Sequence, residues 1–518
     1  MNALYTVEEI RRIEQAALST LPTGTLMQRA GADATALALD LLGTAMRARV
    51  LVLAGPGNNG GDALEVAAEL AEAGSDVTVI LFAAPKSPSP EAGAALARAR
   101  SSLMKLLTPQ DAGSIISLHT QSWQLVIDGL FGIGLMRPIT GDMRVVAEYV
   151  NTLNCPVLAL DVPSGLDADT GDIVGPDGIA VQASHTITFI GDKPGLHTCH
   201  GRDYAGQVSV ASLDIDDAFF PSAQASLNDP TIFSDALQPR RQNTHKGSFG
   251  DVAVLGGAHG MHGAALLSAR AALHCGAGRV YACFIDEVSA FDPLQPEIMC
   301  RPALEFDFTN ATVVAGPGAG NTPKARHLLE TALGTVMPLV LDADALNILA
   351  GDNILQQRLS NRNSPAIMTP HPLEAARLLG VSAGMVQADR LAAARQLAAR
   401  FNAIVVLKGS GSVIARPDGM VAVNPTGNPA LATAGTGDVL AGLCGALLSQ
   451  GLPVWEAALA AVWLHGHAAD ELVDAGIGPV GLTAGELIPA IRTALNRTIK
   501  NARQDAAPIT ARAVQQQS

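Results

Sequence analysis

Short apolar runs, each ending in a loop rich in glycine or aspartate and followed by a helix-length stretch, recur along nearly the whole chain. This alternation leaves few folds open. The first example is Arg49-Val-Leu-Val-Leu-Ala54, then Gly55-Pro-Gly-Asn-Asn-Gly-Gly-Asp62, then a helical pattern over 63–73. Further strand-like runs lie at 77–82, 125–127, 157–160, 186–190 and 208–210. The series resumes at 251–255, 279–285, 312–315, 339–341, 366–369, 404–407, 412–415 and 420–423. Strands separated by helices pair in parallel and bury both faces, so the pattern predicts three-layer α/β sandwiches. The last two runs differ, because Pro417-Asp-Gly419 between them predicts a hairpin. A composition of 48% hydrophobic but only 4% aromatic residues suits close helix–sheet packing through Ala, Leu and Val. The first half looks Rossmann-like, yet no GxGxxG dinucleotide fingerprint follows its first strand.

The pattern fails after Asp214. A polar, proline-containing stretch from Phe219 to Pro230 is followed by Gln238-Pro-Arg-Arg-Gln-Asn-Thr-His245. The expected organisation is a first domain over 1–220, a linker over 221–236, a second domain over 237–496 and a polar, disordered tail over 497–518. A formal net charge of −14 argues against a nucleic-acid partner. The N-terminal segment carries charges through its centre, so it reads as neither signal peptide nor membrane span. The longest apolar stretch, 439–465, is broken by Gly, Gln and Pro and reads as two helices of a soluble protein. Six cysteines without a CxxC pair read as reduced thiols. A soluble cytoplasmic homo-oligomer is expected.

Ligands of open α/β sheets bind at the carboxyl ends of strands. Three loops of the first half meet there: Asn58-Asn-Gly-Gly-Asp62, Asp128-Gly-Leu-Phe-Gly-Ile-Gly134 and Asp161-Val-Pro-Ser-Gly-Leu-Asp167. Their Asn, Asp and Ser oxygens suit a hard cation. In the second half, Gly435-Thr436-Gly437 precedes Asp438 and an apolar run of helical length. Such glycines turn the chain and aim N–H groups of a helix start at an anion, with Asp438 beside it as a proton-transfer group. The blander reading makes Asp438 a helix cap. Gly316-Pro-Gly318, Leu341-Asp-Ala-Asp-Ala345, Thr369-Pro-His-Pro-Leu-Glu374 and Lys408-Gly-Ser-Gly-Ser412 also follow strands. His371, between prolines, reads first as a buried, satisfied histidine. Lys408 reads as a phosphate partner, with a solvated lysine as the alternative.

GNNGGD, DGLFGIG and DVPSGLD, in that order, resemble the epimerase domain of the NAD(P)H-hydrate repair family. HKGSFG, GPG, TPHPLE, KGSGS, NPTGN and AGTGD resemble the dehydratase domain of the same family, which has a ribokinase-like fold. The resemblance implies epimerisation of the R and S hydrates of NADH and NADPH (NADHX and NADPHX) by the first domain. The second would dehydrate the S hydrate, coupled to cleavage of ADP to AMP and phosphate, or of ATP in the eukaryotic type; the fused arrangement favours ADP. By position, Asn58, Asn59, Gly60, Gly61, Asp62, Gly132, Ile133, Gly134, Leu135, Met136, Arg137, Pro138 and Asp161 would hold the epimerase substrate. Asp161 would transfer the proton, and Asn59, Asp128 and Ser164 would bind potassium. In the second domain Ala264, Gly318, His371 and Asp438 would contact the hydrate. Lys408, Gly409, Ser410, Gly411, Ser412 and Gly437 would contact the nucleotide, accompanied by Mg²⁺. Gly435, Thr436 and Gly437 would form the anion hole, and Asp438 would be the catalytic base. The chain departs from the family loop at Ala63, where glycine is usual. Lys193, in Gly191-Asp-Lys-Pro-Gly195, reads more readily as a surface lysine than as a substrate contact. A ribokinase-type small-molecule kinase with a non-catalytic first domain is the rival enzyme reading, but it leaves the three N-terminal motifs unexplained. A non-catalytic nucleotide-binding scaffold is the rival outside enzymes.

Overall fold

The computed structural model describes residues 2–82, 89–102, 104–109, 122–287 and 289–505. They form two compact units, Ala3–Ala225 and a second that begins at Ser226. Among the described residues no helix is long and apolar enough to cross a membrane.

The N-terminal unit contains α1 (Val7–Leu18), α2 (Thr25–Leu42), β1 (Arg49–Ala54), α3 (Asn58–Glu72), β2 (Asp76–Leu81), α4 (Pro90–Ser101), β3 (Lys105–Leu107), β4 (Leu125–Gly129), α5 (Gly141–Val150), β5 (Val157–Leu160), β6 (His185–Phe189) and β7 (Gln207–Ala211). The strands form one parallel sheet in the order β3-β2-β1-β4-β5-β6-β7. One face packs on α1 to α4 through Ile10, Ile13, Ala34, Val66 and Ala95. The other packs on α5 through Val146, Tyr149 and Val150. The order reverses between β1 and β4, where an open sheet leaves a crevice at its carboxyl edge.

The loop expected over 55–62 is shorter than its glycines suggest, because α3 already begins at Asn58. Gly60 and Gly61 serve contact rather than turning. A β carbon on Gly60 would stand 1.9 Å from the Gly55 carbonyl oxygen, and one on Gly61 would stand 2.6 Å from Met27 Cε. The departure at Ala63 is accommodated across the sheet. Its methyl is buried against Gly129, where an added β carbon would come within 2.4 Å.

The C-terminal unit contains β8 (Asp251–Gly256), α6 (His262–His274), β9 (Arg279–Phe284), β10 (Met299–Pro302), β11 (Thr312–Ala315), α7 (Pro323–Leu333), β12 (Leu339–Leu341), α8 (Ala343–Ala350), β13 (Ala366–Met368), α9 (Pro372–Leu379), α10 (Arg390–Phe401), β14 (Ile404–Leu407), β15 (Val413–Ala415), β16 (Val421–Val423), α11 (Thr436–Ser449), α12 (Val454–Asp474) and α13 (Ala484–Asp505). These strands lie side by side as β16-β15-β14-β13-β12-β11-β8-β9-β10. Pairing is parallel from β10 to β14; β15 and β16 form the expected hairpin, and β15 also pairs antiparallel with β14. Helix α11 lies at the centre of the covering layer. Its Gly442 and Gly445 would carry β carbons 2.0 Å from Ser268 O and 2.4 Å from Val314 Cγ2, so α6 and β11 press directly on its backbone. Helix α13 continues to Asp505, so 497–505 is helical, while 506–518 lies outside the described residues.

This close packing is measurable. Gly60→Ala lowers the stability of the N-terminal unit in urea unfolding by more than about 2 kcal/mol, the cost of an overpacked contact. Gly134→Ala, whose added carbon meets only Arg11 Nη2 at 4.0 Å, stays within about 0.5 kcal/mol.

Candidate functional site

A cavity of about 490 Å³ opens at the β1/β4 crevice. Asn58, Asn59, Asp62, Gly132, Ile133, Gly134, Leu135 and Asp161 line it, while Gly60 and Gly61 are buried behind its wall. Met136, Arg137 and Pro138 line an adjoining groove together with Leu135. Strand β5 ends at Leu160, and Asp161 turns into the left-handed region at φ +67°. Ile190 (φ +70°) and Leu213 (φ +55°), which also line the cavity, do the same. Such backbone costs roughly 1 kcal/mol or more per non-glycine residue, and strain of this kind gathers at ligand sites.

Asp161 is held on both oxygens. Ile133 N donates to Oδ2 at 3.0 Å and Lys193 Nζ donates to Oδ1 at 2.7 Å. Lys193 is therefore no surface lysine. Its side chain is fully buried, and its ammonium also donates to Thr188 Oγ1 and the Phe189 carbonyl, both at 2.7 Å. All three protons are used, as a buried ammonium requires. Two further carboxyls face the cavity. Burial, reinforced by the charges of Asp161, Glu14 and Glu65, raises the pKa of Asp62 well above the usual carboxylate range. Burial and Asp161 raise that of Glu14 as well. Sequence reasoning missed Glu14 and Arg11, although Glu14 falls on the same helical stripe as the core residues Ile10 and Ala17. A carboxyl on the buried stripe of an amphipathic helix was the available signal.

Beside this cavity is a buried oxygen cluster. Asp128 accepts from Ser164 N at 2.8 Å, Ser164 Oγ at 2.7 Å and Leu130 N at 3.3 Å. Burial outweighs these bonds and lifts its pKa to about 6. Phe131 N donates to Ser164 Oγ at 2.8 Å, tying the 128–134 loop to the 161–167 loop. Asn59 Oδ1 and Nδ2 are buried without a hydrogen-bond partner. An orphaned amide oxygen, a hydroxyl and a buried carboxylate are donors of the kind that suit a hard cation.

In the C-terminal unit, Gly435 is the left-handed N-cap of α11 at φ +91°, and Asp438 stands in its first turn. The turn is braced from behind. Thr436 Oγ1 lies 2.9 Å from both Leu431 O and Thr433 O, and His465 Nε2 lies 2.9 Å from Thr436 O. Burial lowers the His465 pKa to about 4, so its neutral ring donates to that carbonyl. Lys408 is part-buried and paired rather than solvated, its Nζ 2.7 Å from Asp342 Oδ1. A β carbon on Gly437 would stand 3.4 Å from Lys408 Nζ and 3.9 Å from Asp342 Oδ2, which places this pair at the helix start. Arg390 Nη2 donates to the carbonyls of Leu407 and Lys408, both at 3.2 Å, and fixes the backbone there. Burial opposes charge on Lys408, but Asp342 and Glu374 outweigh it and raise its pKa. Burial and the Asp342 charge raise Asp438 to about 6, against the pull of Lys408. Glu374 rises to about 7, mainly through burial.

His371 is not a buried core histidine. Its side chain is 45% exposed, and its Nδ1 caps α9 by accepting from Leu373 N at 3.1 Å. Burial and nearby Lys408 lower its pKa. Gly318 meets Ala264: a β carbon there would come within 3.2 Å of Ala264 Cβ. Gly320 N donates to Asp344 Oδ2 at 2.8 Å, and the Asp344 charge reaches Asp438. Gly409, Ser410, Gly411 and Ser412 stay on the turn beyond Lys408, where Ser412 Oγ donates back to Gly409 O at 3.2 Å. Asp342 stands in the Leu341–Ala345 segment, but sequence reasoning assigned it no role. A carboxylate after an apolar strand of three residues in mid-sheet was its signal.

Two family models match the chain: NAD(P)H-hydrate dehydratase over 252–491 and YjeF-related protein N-terminus over 23–195. Two curated relatives are called bifunctional NAD(P)H-hydrate repair enzyme Nnr. That of Coxiella burnetii is 36% identical over 96% of this chain and 100% of its own length. That of Escherichia coli is 34% identical over 97% of this chain and 96% of its own. A solved ADP/ATP-dependent NAD(P)H-hydrate dehydratase from Bacillus subtilis, co-crystallised with ATP and Mg²⁺, aligns at TM-score 0.46 and 30% identity. It covers 52% of this chain and 98% of that one.

The Lys193 environment makes a direct prediction. Lys193→Met strands the carboxylate of Asp161 without its cation and destabilises the N-terminal unit by about 3–5 kcal/mol. The double variant with Asp161→Asn recovers part of that loss in thermal unfolding. Equal melting of the single variant and the parent would show that the pair does not hold the strand ends.

Proposed function

This chain belongs to the family of bifunctional NAD(P)H-hydrate repair enzymes, and from that premise we propose how its residues divide the work. The N-terminal unit epimerises the R and S hydrates of NADH and NADPH. The C-terminal unit dehydrates the S hydrate at the expense of ADP, cleaved to AMP and phosphate. The observation that carries this reading is Asp438 in the first turn of α11, with the Lys408–Asp342 pair beside the same helix start.

In the dehydratase site, Asp438 deprotonates the substrate hydroxyl, whose oxygen attacks the terminal phosphoryl group. The amides of Gly435, Thr436 and Gly437 face the charge developing there, where fixed donors act most strongly. AMP leaves in that attack, and departure of phosphate then breaks the substrate C–O bond while a proton lost from the adjacent ring carbon leaves its electron pair as the restored double bond. Lys408 and the turn through Gly409, Ser410, Gly411 and Ser412 hold the nucleotide, while Ala264, Gly318 and His371 hold the hydrate. Mg²⁺ would accompany the nucleotide and supply the charge that neutralises its phosphates.

In the epimerase site, Asp161 is the proton-transfer group, oriented by Lys193 and the Ile133 amide. Asp62, whose pKa burial raises well above the usual carboxylate range, would donate where Asp161 accepts. The loops of Asn58 to Asp62 and Gly132 to Pro138 hold the substrate. Potassium on Asn59, Asp128 and Ser164 would supply the charge that keeps Asp128 ionised. Small-molecule partners, a homo-oligomeric state and a cytoplasmic location complete the reading.

With a mixture of hydrated NADH epimers, ADP and Mg²⁺, the dihydronicotinamide absorbance recovers completely. Asp438→Asn abolishes that recovery while epimerisation continues, and no recovery by the parent with either ADP or ATP would sink the dehydratase assignment. The raised pKa of Asp438 sets the pH dependence. The base must be ionised, so kcat falls about tenfold per unit below pH about 6. The same shift means that the folded state holds this proton more tightly than the unfolded one, so ionised Asp438 costs stability above its ordinary value of 3.8. Asp438→Asn therefore melts no lower than the parent at pH 8. Replacing potassium by choline lowers the unfolding temperature of the N-terminal unit and slows epimerisation, and Asn59→Ala removes both effects. Identical melting in the two salts would exclude the cation from this cluster.

A further inference from the structure

We propose that Asp172, Cys199 and His200 form a binding site for a divalent transition metal of the zinc class on the N-terminal unit, separate from the Asp161 cavity. One ligand atom from each residue lies within 4.8 Å of the other two, and His200 Nε2 is 3.8 Å from Asp172 Oδ1. Two ligands about 2.0–2.3 Å from a shared tetrahedral ion stand roughly 3.3–3.8 Å apart, so one edge of the polyhedron is already formed. The remaining closure needs only side-chain rotation, which the 48% and 43% exposure of His200 and Asp172 allows.

The donor set identifies the metal class. One thiolate, one imidazole and one carboxylate form a borderline-soft set that suits zinc and its neighbours and does not suit Mg²⁺ or K⁺. Three protein ligands leave a fourth position to water. No other group of three such side chains comes together in this way among the described residues.

The backbone holds the ligands before any metal arrives. His200 N donates to Gly171 O at 3.0 Å, joining the segment that carries Asp172 to the segment that carries Cys199 and His200. Gly171 permits this approach, since a β carbon there would stand 2.2 Å from Thr198 O. Cys199 adopts φ +54°, a left-handed geometry that few non-glycine residues take. A bound ion would cross-link the chain leaving Asp167 to the chain leaving Lys193. It would thus act as a structural clip independent of the repair chemistry.

Titration of the tag-free, reduced full-length chain with Co²⁺ tests the site. The expected result is one tightly bound ion per chain, with tetrahedral d–d absorption and a thiolate-to-cobalt charge-transfer band. Zn²⁺ displaces the cobalt and raises the unfolding temperature of the N-terminal unit. Cys199→Ser eliminates the charge-transfer band. His200→Ala and Asp172→Asn retain it but weaken binding by more than about tenfold, the lower end of what even outer-sphere changes cost a metal site. A parent chain without the band overturns the proposal. So does a band that survives Cys199→Ser, which would place the ion on another thiol, or affinity unchanged in both His200→Ala and Asp172→Asn.

Discussion

Each unit places a lysine ammonium 2.7 Å from an aspartate at the carboxyl edge of its sheet, Lys193 on Asp161 and Lys408 on Asp342. Much of the local structure follows from these two contacts. An unpaired charge at such depth costs several kcal/mol, so each pair forces neighbouring donors and acceptors into place. Around Lys193 these are Thr188 and the Phe189 carbonyl, which tie β6 to the loop that carries the lysine. Around Lys408, Arg390 clamps the adjoining carbonyls. The two pairs do different work. Lys193 neutralises the very carboxylate that faces the cavity, whereas Lys408 is engaged by Asp342 rather than by Asp438.

Bringing strand ends and helix starts close enough for such pairs requires missing side chains. Gly55 and Gly60 touch through backbone, as do Gly256 and Pro317, and Gly316 and Asp342, where added β carbons would lie 1.8–2.0 Å from a carbonyl oxygen. The glycine motifs thus record contact distances more often than turns. Gly435 and Gly316 also need their positive φ, and at Gly435 it sets the start of α11.

The parallel architecture was legible because the apolar runs are short, numerous and separated by helical stretches. Among the strands that escaped notice, Lys105–Leu107 and Met299–Pro302 are sheet edges of three and four residues, too brief for a period to show. Helix α13 continues through a polar segment because Leu487, Ile488, Ile491 and Leu495 anchor its earlier turns to the core. The principal carboxylates of both candidate sites stood in readable motifs. Asp342 and Lys193 stood in motif segments too, but their ion pairs did not show, and Glu14 stood in none, since a residue's burial depends on what folds over it. Nothing local to Gly-Asp-Lys-Pro-Gly distinguishes an ammonium with three buried acceptors from one in water.

The pKa of Asp438 is set by opposing influences. Burial raises its pKa, Asp342 raises it further and Lys408 lowers it. Because Lys408 donates to Asp342, the two charges partly cancel at the distance of Asp438, and burial decides the outcome. A negative charge arriving about 6 Å away would add about 3 kcal/mol at an effective dielectric near 20, or about two pKa units. Bound polyphosphate would thus make Asp438 a stronger base when substrate is present, while Mg²⁺ and Lys408 offset part of that increase. The glycine start of α11 contributes the remaining term, since its amide dipoles favour the ionised carboxylate and the incoming phosphate alike. A sheet edge that brings a lysine, a second aspartate and a bare helix terminus together can thereby tune one carboxylate across the neutral range without placing a further charged group against it.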